Sequence, residues 1–121
     1  MFNFNSHHPM IYVYDLNRAV NFYKSILGFN VRFQHGEFFA SLVHPQTNLR
    51  IDLHPTEAGG KDVGFGAIIY FDTKNFDQTF EYLQSKSVKV GTPKTEGDSG
   101  RFVTFFDSEG NALGLEEIKE R

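Results

Sequence analysis

Arg50, Asp52 and His54 alternate with Leu49, Ile51 and Leu53 along one short stretch of the chain. Successive side chains of an extended strand point to opposite faces, so this pattern sets three ionisable groups on one face and three aliphatic ones on the other. The same reading of the stretch that begins at His8 gives Ile11 and Val13 to a covered face and leaves His8, Met10 and Tyr12 opposite. Three ionisable residues on one strand face need either water or partners. The plain reading is a solvated face on which Arg50 and Asp52 form an ion pair of little worth. The functional reading is that Arg50 anchors an anionic ligand with its planar fork, while Asp52 and His8 orient that ligand or assist proton transfer. A divalent metal, if held, would take His8 and Asp52 first, joined by His54, Glu116 or water. Both outer candidates have plain readings too: His8 sits beside His7 near the N-terminus, and Glu116 belongs to an acidic pair with Glu117.

Other chemistries have less support. The chain has no cysteine, which removes a thiolate nucleophile, a disulfide framework and a Cys-based zinc site. No Ser-His-Asp spacing stands out. The loop Thr95 to Gly100 reads as a flap and lacks the lysine and helix start of a phosphate-binding loop. Net charge is −3 with basic residues scattered, which gives no footprint for nucleic acid. The N-terminal residues lack the basic segment and apolar run of a signal peptide, and no apolar run approaches the ~18 residues of a membrane helix, so a soluble cytoplasmic protein is expected. Fourteen Phe and five Tyr against no Trp predict an aromatic interior and an aromatic lining for any pocket, drawn from Tyr12, Tyr70, Phe38, Phe39, Phe102 and Phe106.

The elements that must position these residues follow from periodicity. After Ile11 and Val13 the apolar spacing changes at Asp15 to Leu16, Ala19, Val20, Tyr23 and Leu27, a strand running into an amphipathic helix. Asp15 is placed to cap that helix and Gly28 to end it in a left-handed conformation. Strands are then expected over Phe29–Phe33, Glu37–Val43 and Leu49–Leu53. Pro55 to Gly64 is a linker, rich in glycine and charge. The order then repeats: a strand over Phe65–Phe71, a helix capped by Asp72 or Thr73, and strands over Val88–Val90, Arg101–Phe106 and Ala112–Ile118. The fold expected is α+β, two βαβββ modules (about 8–54 and 65–118) whose sheets curl around a central cleft as a single domain over 1–121.

On Asp15-Leu16, Ala19, Phe22-Tyr23 and Leu27-Gly28-Phe29, and on Phe106-Asp107-Ser108-Glu109-Gly110-Asn111, the chain resembles the glyoxalase, bleomycin-resistance and extradiol-dioxygenase (vicinal oxygen chelate) superfamily. Ser108 stands where that family's turn usually has proline. The family includes lyases, isomerases, ring-cleaving oxygenases and drug-sequestering binders, so fold alone does not choose among them.

In the family's metal enzymes the resemblance implies ligands at four positions. These fall on His8, seven residues before the Asp of Asp-Leu, on Asp52, on Gly66 (Ala67 if the register slips by one), and on Gly114. Glycine offers no ligand, and a divalent metal generally wants at least three protein donors. The expectation is therefore a small-molecule binder without the four-ligand centre, with His8, Tyr12, Arg50, Asp52, His54 and Gly114 at the ligand. Small residues at Gly66 and Gly114 would leave room for a planar molecule. The alternative is a metal-dependent lyase, isomerase or dioxygenase with an altered ligand set around His8 and Asp52. The resemblance also implies a homodimer.

Overall fold

Asp15 acts as its position demands, its carboxylate accepting from the backbone N–H of Arg18 at 3.0 Å while its own backbone is extended. One of the unpaired donors of the first helical turn is thereby satisfied. The helix it opens, α1 (Leu16–Ser25), buries Leu16, Ala19, Val20 and Tyr23 on one stripe. Gly28, at φ +79°, turns the chain out of the helix.

The computed structural model describes residues 1–95 and 100–119. They fall into two compact units, Met1–Val63 and Gly64–Arg121. In the first, β1 (Met10–Val13), β2 (Asn30–His35), β3 (Phe39–Val43) and β4 (Arg50–Pro55) form a four-stranded sheet in the order β1-β4-β3-β2. β1 runs parallel to β4 and the other pairings are antiparallel. α1 packs on β2, β3 and β4, and Val13, Ala40, Leu42, Ile51 and Leu53 are 0% exposed. A Val, Leu or Ile side chain taken fully out of water contributes about 1.5–3 kcal/mol, so this layer is a substantial part of the unit's driving force.

The second unit repeats the topology. β5 (Ile69–Thr73), α2 (Phe76–Ser85), β6 (Lys94–Thr95), β7 (Arg101–Phe106) and β8 (Ala112–Glu117) give a sheet in the order β5-β8-β7-β6, again with one parallel pair. Phe76 and Leu83 of α2 are buried, as are Val103, Phe105, Leu113 and Leu115 of the sheet. The turn Asp107–Asn111 is tied internally: Asp107 Oδ1 accepts from the N–H groups of Glu109 and Asn111, and its Oδ2 from Asn111 Nδ2. Among the described residues, no helix is long and apolar enough to cross a membrane.

Several expected boundaries move. β5 begins at Ile69 rather than Phe65, because Gly64 and Gly66 adopt φ +88° and +111° and interrupt an extended run. Asp72 and Thr73 do not cap α2. They are the last residues of β5, paired with Glu116 and Glu117, and the cap position falls on Asn75. Thr73 Oγ1 accepts from the Asn75 N–H at 3.0 Å, a side-chain turn that carries the chain from strand to helix. Val88–Val90 is no strand but a single bridge from Val90 to Phe105, and the edge pairing resumes as β6 after Pro93, which lacks an N–H to give. β3 starts at Phe39, since Phe38 closes a turn onto His35. Of the expected flap, residues 96–99 lie outside the described residues.

The two helix starts differ in a measurable way. Asn75 makes no side-chain capping bond, so Asp15→Ala is expected to cost about 1 kcal/mol in urea unfolding and Asn75→Ala only a few tenths.

Candidate functional site

The sheet register gathers the polar residues of the first unit. Met10 lies opposite Asp52 and Tyr12 opposite His54 across the parallel β1–β4 pair, while Ser41 of β3 faces Asp52 from the other side. Alternation then puts Arg50, Asp52 and His54 on the sheet face away from α1, with Tyr12 and Ser41. His8 joins from the segment before β1, which is held by the Asp52 N–H bonding to the Pro9 carbonyl at 3.1 Å.

Asp52 is the centre of this face and is only 3% exposed. Arg50 grips it with two parallel bonds, Nε to Oδ1 at 3.0 Å and Nη2 to Oδ2 at 2.9 Å. His8 Nε2 lies 2.9 Å from Oδ2. Ser41 lies opposite Asp52 in the β3–β4 pair, and Arg32 Nη1 donates to Ser41 Oγ at 2.7 Å. Burial pushes the Asp52 carboxyl up, but the hydrogen bonds from Arg50 and Ser41, with the charges of His8 and Arg50, outweigh it and hold the group below the usual carboxylate range. Beside the network, the His54 ring meets Tyr12 edge-on at 5.8 Å, its Nδ1 lies 2.7 Å from the Pro55 carbonyl oxygen, and its Nε2 lies 3.3 Å from Glu57 Oε1.

His8, Arg50 and Asp52 are thus brought together, with Tyr12 and His54 next to them on the same face. Part of Arg50's donor fork faces inward onto Asp52. Sequence reasoning missed Arg32 and Ser41. Ser41 had a faint signal, a lone hydroxyl residue between Ala40 and Leu42 that turns out to be 0% exposed. Arg32 had none, because the β2–β3 register shifts between Val31 and Phe33 and brings Arg32 to the face of Ser41.

The second unit handles the equivalent position without charge. Gly114 lies opposite Tyr70 in the β5–β8 pair. A Cβ on Gly114 would come 2.4 Å from Tyr70 Cε2 and 2.7 Å from its Cγ, so the ring lies flat across the glycine. The room expected at Gly114 is filled by Tyr70, a cross-strand aromatic covering the gap a glycine leaves. Gly66 stands before the strand with open space around its Cα.

The observed cap of α2 also changes the count behind the position that the resemblance implies in the second unit. Counting seven residues back from the helix cap gives His8 from Asp15, and Ile68 from Asn75 rather than Gly66. The strand pairs agree, since Met10 meets Asp52 and Tyr70 meets Gly114. The displaced cap carried the ligand position with it. Ile68 is no better a ligand than Gly66. With Ile68 and Gly114 in the second unit, and a carboxylate already held by a guanidinium in the first, these residues do not fit a four-ligand metal centre. Among the described residues no group of three or more His, Cys, Asp or Glu side chains is arranged to hold a metal.

Comparison with known proteins places this geometry. The family model described as Glyoxalase/Bleomycin resistance protein/Dioxygenase superfamily matches residues 5–115. Among solved structures, a member of that superfamily from Sphaerobacter thermophilus DSM 20745 is 25% identical, with 95% of this chain and 98% of that one covered and a TM-score of 0.80. TnmS3, an antibiotic binding protein from Streptomyces sp. CB03234, is 24% identical over 95% of this chain and 98% of its own, with a TM-score of 0.75. FosX, a genomically encoded fosfomycin resistance protein from Listeria monocytogenes complexed with Mn(II) and sulfate ion, is 16% identical over 98% and 93%, with a TM-score of 0.78. The last two are likenesses of fold. No curated protein matches the chain.

Two outcomes follow from the geometry. Because its folded pKa is depressed, Asp52 contributes stability above its ordinary value of 3.8 and loses it as pH falls through the lower folded value. Asp52→Asn should therefore cost about 2 kcal/mol at pH 7, and the gap from wild type should close in urea titrations taken progressively below pH 3.8. In the second unit, Gly114→Ala should cost about 1–3 kcal/mol through overpacking. Combining it with Tyr70→Ala should recover most of the clash, which a double-mutant cycle would read as coupling.

Proposed function

The chain belongs to the glyoxalase/bleomycin resistance protein/dioxygenase superfamily, and we propose that within it this protein binds a small organic molecule on the face of its first sheet away from α1. His8, Tyr12, Arg50 and His54 contact the ligand in this reading, and Asp52 holds His8 and Arg50 in place from beneath. The binding needs no four-ligand metal centre.

The observation that carries this reading is the contrast between the two faces of one sheet. The α1 face is a closed aliphatic layer. The opposite face holds a hydrogen-bonded charge network around a buried carboxylate, with the side chains of His8, Arg50 and His54 left 31%, 31% and 30% exposed. Buried ion pairs add little stability over apolar packing of the same volume, so such a network is poorly explained by folding alone. Partly exposed donors and rings, with their positions fixed from below, suit ligand recognition. TnmS3, described as an antibiotic binding protein, supports the binder reading. FosX with its Mn(II) supports the metal-dependent alternative, and the donor set of this chain argues against that alternative.

In the proposed site Asp52 positions rather than reacts. It takes the Nε2 side of His8, leaving Nδ1 to meet a ligand proton or acceptor, and it fixes the plane of the Arg50 guanidinium. A thermal-shift screen of small aromatic molecules, followed by calorimetry on the best one, tests the reading. Tyr12→Ala and His54→Ala should each weaken binding at least tenfold, about 1.4 kcal/mol, with unchanged circular dichroism, and excess chelator should leave the affinity unchanged. Binding that requires added metal, or that survives both substitutions, would count against it.

A further inference from the structure

One guanidinium on this face lacks a carboxylate partner among the described residues. Asp52 is matched by Arg50, with His8 on the same carboxylate. Arg32 reaches only the neutral hydroxyl of Ser41, and no carboxylate lies within salt-bridge distance of it among the described residues. Arg50 thus has a carboxylate partner and Arg32 has none, while Glu57 lies against His54. Arg32 is exposed in spite of its bond to Ser41.

What surrounds Arg32 is aromatic. The shift in the β2–β3 register between Val31 and Phe33 sets Phe33 opposite Ser41, so that two consecutive residues of β2 serve one face. The Arg32 guanidinium carbon lies 5.5 Å from the centre of the Phe33 ring. Phe33 in turn meets Phe39 at 5.8 Å, with ring planes 32° apart, and His35 at 5.3 Å. Phe33 is 40% exposed, which leaves ring surface open beside the unmatched cation.

We propose that the ligand of this site is a flat aromatic carboxylate, its ring on the Phe33–Phe39 surface and its carboxylate on the outward edge of Arg32. The inference rests on the small-molecule reading of this face and moves the anion anchor from Arg50, which faces Asp52, to Arg32. One guanidinium without a carboxylate partner suits a monoanion, because a phosphate dianion would find no second such guanidinium on this face among the described residues. It disfavours a cationic ligand. Ser41 keeps Arg32 aimed, and Phe33 keeps its planar face covered, so that the remaining N–H groups point to the ligand.

Three probes that share one ring system separate the possibilities: 2-naphthoate, the neutral 2-naphthylmethanol and the cationic 2-naphthylmethylammonium. Titrated calorimetrically into the full chain, the naphthoate is expected to bind at least tenfold more tightly than the alcohol, and the ammonium more weakly than either. Arg32→Gln should bring the naphthoate affinity down to that of the alcohol measured on the same variant, and Arg32→Lys should keep part of the preference. Phe33→Ala should weaken all three. Backbone amide shifts of Arg32, Phe33 and Ser41 report where the probes sit. Equal affinity for the three probes, or a naphthoate affinity indifferent to Arg32→Gln, overturns the carboxylate assignment and leaves the small-molecule reading standing. Absence of binding by all three, together with a failed aromatic screen, overturns both.

Discussion

A carboxylate cannot be taken out of water inside a sheet unless other groups replace its hydration, and the first unit is arranged around meeting that demand at Asp52. Its partners come from separate parts of the chain: His8 from before β1, Arg50 from β4 itself and Ser41 from β3, with Arg32 of β2 behind the hydroxyl. Every strand of this sheet or its flank therefore has a stake in one side chain. Losing any one partner would expose an incompletely matched charge, which costs more than an intact network gains. Such networks fix relative strand positions more than they add net stability.

The second unit has the same strand order but meets the corresponding position without charge. Gly114 removes the side chain and Tyr70 covers the gap. Its ion pairs lie elsewhere, where Arg101 bridges Glu117 and Asp77 and its guanidinium lies 4.7 Å from the centre of the Phe76 ring. Hydrogen bonds from the Arg101 side chain and backbone bring the Glu117 carboxyl down to about 2. That contribution is present at neutral pH and fades only in strong acid. One topology thus carries two arrangements at the equivalent position, a buried carboxylate network in one unit and a tyrosine laid over a glycine in the other.

Much of this was legible in the sequence, and what was not has identifiable causes. The change of apolar spacing at Asp15 located α1 and its cap, because capping uses a local side chain and a local donor. The equal alternation of Arg50, Asp52 and His54 placed them on one face. The second helix start was misread because Asp72 and Thr73 are acceptable caps by type, and only the length of β5 makes Asn75 the cap. Arg32 was invisible because strict alternation assigns it to the face opposite Phe33, and the register shift that overrides alternation depends on β3. Tyr70 lying across Gly114 follows from a strand pairing far apart in sequence, which no local pattern encodes.

The register shift in β2 has a further consequence. β2 is the outer strand of its sheet, and an outer strand with regular spacing offers its free N–H and carbonyl row as a template for another chain. An extra residue in that row breaks the repeat and increases its twist, which disfavours regular pairing by a second strand. The irregularity that sets Arg32 and Phe33 on one face thus also makes this edge of the sheet a poor template for a further strand.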